Sequence, residues 1–158
     1  MSDSNSNDAC VVERVIDAPV ELVWQMWTKA EHFKNWYGPM GFSIPVAEID
    51  AQIGGKHLFC MKSPDGNMTM WSTGEFTELV PNQRLVYTDS PCDAEGNLMS
   101  PQAMGMPEGY PTTTEVKVEL EDLGGKTKMV LTHTGVPAGA ADGWSQAFEK
   151  MGALVATL

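Results

Sequence analysis

The stretch GWSQAFEKMGALVATL, Gly143 to Leu158, decides the fold. Trp144, Phe148, Met151, Val155 and Leu158 recur at spacings of four, three, four and three, which predicts one apolar side of a long helix. The rest of the chain is dominated by short β-forming runs. An apolar helical face needs a partner, and the only one large enough is the sheet predicted from the middle of the chain. The helix is therefore expected either to seal a solid core or to roof a pocket, and which of the two holds governs function.

Immediately upstream lies the clearest strand pair. Thr114, Val116, Val118 and Leu120 alternate with Glu115, Lys117 and Glu119, the pattern of a half-buried strand over Thr112 to Glu121. Asp122-Leu123-Gly124-Gly125 predicts a hairpin turn. Its partner, Lys126 to Thr134, carries Met129, Leu131 and His133 on one face and Lys128, Val130, Thr132 and Thr134 on the other. The apolar faces of both strands are expected to point toward the helix, since their opposite faces are charged or threonine-rich.

Further toward the N-terminus the same grammar repeats. Strands are predicted over Phe42 to Asp50, Lys56 to Lys62, Met68 to Leu79 and Arg84 to Thr88, with turn residues at Ser63 to Asn67 and Pro81-Asn82 and a break or bulge at Gly74. Asp89 to Pro111 shows no period of either kind. Before the strands, Asp17-Ala18-Pro19 opens a helix bearing Val20, Val23, Trp24 and Trp27. A second short helix, Ala30 to Trp36, stops at Tyr37-Gly38-Pro39. Cys10 to Ile16 reads as a first strand, with the adjacent Val11 and Val12 leaving its inward face open.

The order is strand, two short helices, a six-stranded antiparallel meander and a long C-terminal helix, an α+β arrangement. Residues 1–9, rich in Ser, Asn and Asp, are expected to be a disordered tail, and residues 10–158 a single domain.

A hydrophobic content of 42% in 158 residues suffices for a core without staples. No apolar run reaches the length of a membrane span, and the N-terminus lacks a signal-peptide pattern, so a soluble, cytoplasmic protein is expected. Cys10, Cys60 and Cys92 are odd in number and scattered, as free thiols are. A formal charge of −11 repels phosphate backbones and anionic lipid, which argues against nucleic acid and membrane insertion. A monomer or a homodimer is expected.

Six blocks carry a resemblance: ERVIDAPVELVWQMWT (Glu13 to Thr28), NWYGP (Asn35 to Pro39), EIDAQIGGKH (Glu48 to His57), GEFTELVPNQRLVYT (Gly74 to Thr88), GGKTKMVLTHTG (Gly124 to Gly135) and GWSQAFEKMGAL (Gly143 to Leu154). In this order they resemble the activator of heat-shock protein 90 ATPase homologue-like family of the START-like (SRPBCC, helix-grip) superfamily. The resemblance implies a curved antiparallel sheet gripping the C-terminal helix, usually around an apolar pocket. The activator that names the family carries an extra N-terminal domain, which this sequence lacks, so full ATPase activation is not implied.

If the alternation holds, such a cavity is lined by Val118, Leu131 and His133 from the hairpin and by Trp144, Phe148 and Met151 from the helix. His57, Phe59 and Met61 share a face of another strand, Met70 or Trp71 faces inward from the central one, and Tyr87, Glu75 and Asp89 are weaker candidates whose default is the surface. Met104, Met106 and Tyr110, in the aperiodic stretch, suit a lid that repacks around apolar ligands. An apolar face is as often filled core as cavity.

Three functions follow. The first is a binding protein for a small hydrophobic or aromatic molecule. The second, implied by the superfamily, is a cyclase- or hydrolase-type enzyme using His57 or His133 as acid and base; each is more often a hydrogen-bonded wall residue. The third is a stress-related, co-chaperone-like interaction protein in contact with a chaperone. No cofactor is expected. Neither is a metal: His57 and Cys60, three apart on a strand, face opposite sides. Cys92 lacks a nucleophile's partners, and Gly54-Gly55 and Gly124-Gly125 lack the phosphate-loop context.

Overall fold

The computed structural model describes residues 9–99, 113–136 and 140–158. The chain opens with strand β1 (Ala9–Ile16), followed by helices α1 (Val20–Thr28) and α2 (Ala30–Phe33). Strands β2 (Ser43–Ile49), β3 (Lys56–Lys62), β4 (Thr69–Val80), β5 (Arg84–Cys92), β6 (Thr114–Asp122) and β7 (Thr127–Thr134) come next, and helix α3 (Ala140–Val155) closes the chain. The strands form one seven-stranded sheet, order β1-β7-β6-β5-β4-β3-β2, antiparallel throughout. The fold is thus α+β, as the element order predicts, in the helix-grip arrangement that the resemblance implies.

Alternation fixes the faces. On β6 the residues Val116, Val118 and Leu120 are buried, as are Met129, Leu131 and His133 on β7, and Val118 sits directly across from Leu131. Cross-strand partners share a face, so the pairing Val12↔Leu131 turns Val12 inward and leaves Val11 62% exposed. That register settles the face of β1 that the paired valines left open.

Two tryptophans fill the space between sheet and helix. Trp27 on α1 donates from Nε1 to the sulfur of Met129 on β7 at 3.3 Å, and its ring centroid lies 6.1 Å from that of Phe148 on α3. Trp36, just past α2, is fully buried and donates to the Met26 carbonyl at 2.9 Å. Phe148, Met151 and Val155 therefore share one core with Val118 and Leu131, with Trp27 in contact with both layers.

Three sequence expectations need correction. Helix α3 already includes Ala140 and ends at Val155; the last residues close in a tighter turn through Leu158 N–H to the Val155 carbonyl, which swings Leu158 out to 60% exposure. The irregularity of β4 against β5 falls between Phe76 and Glu78, and Gly74 keeps regular pairing with His57 on β3. Strand β5 continues past Thr88 to Cys92. Pro91 is tolerated there because β5 pairs with β6 only as far as Asp89, leaving the Pro91 nitrogen without a ladder to serve.

Candidate functional site

Helix α3 changes character along its length. Its second half carries Phe148, Met151 and Val155, which are buried in the core. Its first half presents Ala140, Gly143, Trp144 and Ala147, spaced to share one face, and three of these four are small. Beneath them lies a cavity of about 210 Å³. The sheet contributes Phe59 and Met61 from β3, Met70 and Ser72 from β4, Asp89 from β5 and His133 from β7. Tyr37, Gly38 and Pro39, the segment after α2, form the remaining wall. The helix thus seals a solid core with one half and roofs a pocket with the other.

The Tyr37–Pro39 wall is fastened to the roof. Gly38 has φ of 86°, a left-handed turn suited to glycine. Lys150 Nζ donates to the carbonyls of Tyr37 and Pro39 at 3.2 and 3.1 Å, and Met40 N–H donates to Gln146 Oε1 at 2.9 Å.

Polar groups converge on one side. Trp144 Nε1–H donates to His133 Nδ1 at 3.1 Å. Indole nitrogen is only a donor, so His133 carries its proton on Nε2, which lies 2.9 Å from Thr114 Oγ1. Thr114 in turn donates to the Asp89 carbonyl at 3.3 Å. Burial lowers the His133 pKa to about 4. Both ring nitrogens are engaged, which leaves no lone pair for a general base.

Asp89 is the unusual group. Burial raises its carboxyl pKa to about 6, with the neighbouring Ser72 hydroxyl acting in the opposite direction. Its Oδ1 is out of contact with solvent and has no hydrogen-bond partner among the described residues. The Tyr37 and Tyr87 hydroxyls lie 2.9 Å apart, and burial, aided by the Asp89 charge, pushes both phenols well up and keeps them neutral.

Of the residues predicted to line a site, Phe59, Met70, His133 and Trp144 do so. His57 lies one step back: it stacks on Phe59 with centroids 5.8 Å apart, Nε2–H donates to the Thr88 carbonyl at 3.1 Å, and burial lowers its pKa to about 4. Tyr87 stands edge-on to His57, behind the wall. Val118, Leu131, Phe148 and Met151 are fully buried in the core rather than lining the cavity. Trp71 faces away from Met70, between Cys60 and Cys92 on the flanking strands. Met104, Met106 and Tyr110, and with them the lid, lie outside the described residues. Glu75 is exposed as expected, whereas Tyr87 is buried and Asp89 faces the cavity. Ser72, Asp89 and the small residues of α3 are the contributors that pattern reading ranked low or missed; one signal was available, the run of small residues at helical spacing.

Other depressions are wider, at about 410, 340 and 370 Å³, but they lie on the β2–β3 and β3–β4 turns and along β4–β5, and their charged side chains are exposed. The three cysteines are free and buried, and burial lifts the Cys92 thiol to about 11, far from a thiolate. Among the described residues no cluster of His, Cys, Asp and Glu could hold a metal, and no helix is long and apolar enough to cross a membrane.

Comparison with known proteins agrees with the fold. No curated protein matches the chain. Among solved structures, a crystal structure of a protein from Chromobacterium violaceum is 26% identical with a TM-score of 0.77, covering 93% of this chain and 96% of its own. A solution structure of a protein from Arthrobacter aurescens is 23% identical with a TM-score of 0.78, covering 100% and 91%. The AHSA1 protein from Silicibacter pomeroyi is 18% identical with a TM-score of 0.74, covering 95% and 99%. The family profile described as "Activator of Hsp90 ATPase homolog 1-like protein" matches residues 17–156, nearly all of the domain built around α3, and the chain belongs to that family.

Proposed function

We propose that the cavity under the first half of α3 binds one small, largely apolar molecule, and that this chain is a ligand-binding protein. The observation that carries this reading is the composition of the walls: aromatic and methionine side chains surround the space, and Ser72 and Asp89 form a polar pole at the sheet. Small-molecule sites have this make-up, an apolar pocket with a few placed polar groups. A cavity of 210 Å³ is below the usual range for drug-sized ligands. An apolar cavity of roughly 150 Å³ accepts benzene, so the fit is to a single ring with a short substituent, not to a long lipid.

A histidine-based cyclase or hydrolase is less well supported. His133 has both nitrogens engaged, and His57 is held by a backbone carbonyl outside the cavity. Contact with a chaperone rests on the family alone, and a cytoplasmic location on the free thiols.

The test is a thermal-shift and NMR screen of single-ring aromatics against long-chain fatty acids, repeated on Ala147→Leu, which fills the cavity from its roof. Single-ring compounds should raise Tm and move the Trp144 indole N–H resonance in the parent protein only. Absence of any shift with single-ring compounds, or equal binding by Ala147→Leu, sinks the reading.

A further inference from the structure

The buried carboxyl at the sheet side of the cavity narrows the class of ligand, given the proposed binding role on which this step rests. We propose that the cavity accepts a small organic ammonium, a single-ring or short-chain amine in its protonated form, with Asp89 as counter-ion and the rings of Tyr37, Phe59 and Trp144 around the charge.

Three independent features point to a cation. The first is the orphaned Asp89 Oδ1, which has neither water contact nor a hydrogen-bond partner among the described residues. A buried carboxylate lacking a donor is costly, and a paired one is far less so. The Ser72 hydroxyl neighbours the carboxyl, and the two phenols engage each other. A group brought by a ligand completes the set. The terminal torsion of aspartate is broad, so the carboxyl of this cavity-lining residue can turn an oxygen to the guest.

The second feature is the aromatic wall. Tyr37 meets Phe59 at 4.9 Å between centroids and an interplanar angle of 68°, and Trp144 at 5.4 Å and 89°. Rings set nearly at right angles around one space offer π-electron density from several directions, which is how alkylammonium groups are recognised. The third is the field of the whole chain. A formal charge of −11 raises the local concentration of cations and repels carboxylates. Lys150, on the roofing helix, is engaged with the carbonyls of Tyr37 and Pro39 at the wall.

The probes are benzylamine, benzyl alcohol and benzoate, matched in ring and size, titrated at pH 8 and followed by NMR at the Trp144 indole and by calorimetry. The ammonium should bind at least tenfold more tightly than the alcohol, benzoate should not bind, and Asp89→Asn should erase the difference between ammonium and alcohol. Should Asp89→Asn fail to fold, the order of the three probes and their loss on Ala147→Leu decide the matter. Alcohol binding as tightly as ammonium, or a preference that survives Asp89→Asn, overturns the ammonium assignment and leaves the cavity reading standing. No perturbation of Trp144 by any probe overturns both.

Discussion

Gly74 on β4 lies against the Thr88 carbonyl of β5 so closely that a Cβ at residue 74 would overlap it, and the same Cβ would sit 2.9 Å from His57 Nε2. The missing side chain is what lets the imidazole cross β4 and donate to Thr88 at 3.1 Å.

Gly74→Ala is therefore expected to destabilise by about 3 kcal/mol or more, because backbone rather than a flexible side-chain end must yield. Urea denaturation measures it. A loss below about 0.5 kcal/mol, the range of ordinary surface substitutions, would show that the strand accommodates a methyl group.

The two halves of α3 should respond in opposite ways. Phe148→Ala opens the filled core and should cost about 3–5 kcal/mol. Gly143→Ala meets only ordinary contact, 3.7 Å to Pro39, and replaces a poor helix former, so a gain of up to about 1 kcal/mol is expected. Chemical denaturation of the pair, side by side, checks the division.

Stability should fall in mild acid, and the sign follows from three groups. His57 and His133 have folded pKa values of about 4, below their ordinary 6.5. The unfolded chain takes up protons that the folded one refuses, so their contribution is complete above pH 6.5 and is lost on descent toward 4. Asp89 is opposite: raised to about 6, it costs stability above that pH and relieves the cost below. Two histidines outweigh one carboxyl over the wider window, at about 1.4 kcal/mol per pKa unit each. The urea midpoint should hold steady above pH 7 and drop between 6.5 and 4; a flat profile contradicts the burial of both imidazoles.

Asp89→Asn should raise stability at pH 8 by on the order of 1–3 kcal/mol, since it removes a buried charge from the folded state. It should also steepen the acid limb, leaving the histidines unopposed. A destabilised Asp89→Asn at pH 8 would mean that the carboxylate is compensated within the protein.

Trp144→Phe removes the donor that occupies His133 Nδ1. Burial holds that imidazole near 4, so its pKa is expected to stay low in the variant, read from its proton resonances across a pH titration. A rise toward 6.5 would show that the indole donor at Nδ1 shares in the depression.

Pattern reading reached the sheet and the gripped helix because β6, β7 and α3 each bury one face and expose the other, leaving periods of two and 3.6 in the sequence. It could place Asp89 only among the weaker candidates, with the surface as its default. Asp89 to Pro111 shows no period of either kind, and only the end of β6 pairing at Asp89 shows why a proline can remain in the strand. Nor could alternation separate Val118 and Leu131, which touch core, from His133, which touches cavity. All three share a face, and the difference arises from what lies opposite, Trp27 and Phe148 in one region and alanine and glycine in the other.

That last contrast has an evolutionary side. The small residues that α3 gives the cavity, at 140, 143 and 147, differ from the large ones it gives the core, at 148, 151 and 155, although Ala147 is packed into the core as well. On the proposed binding role, substitution at 140 or 143 would change which guest fits while sparing the large side chains of the folding core, so a lineage built on this helix could retune its preference in single steps.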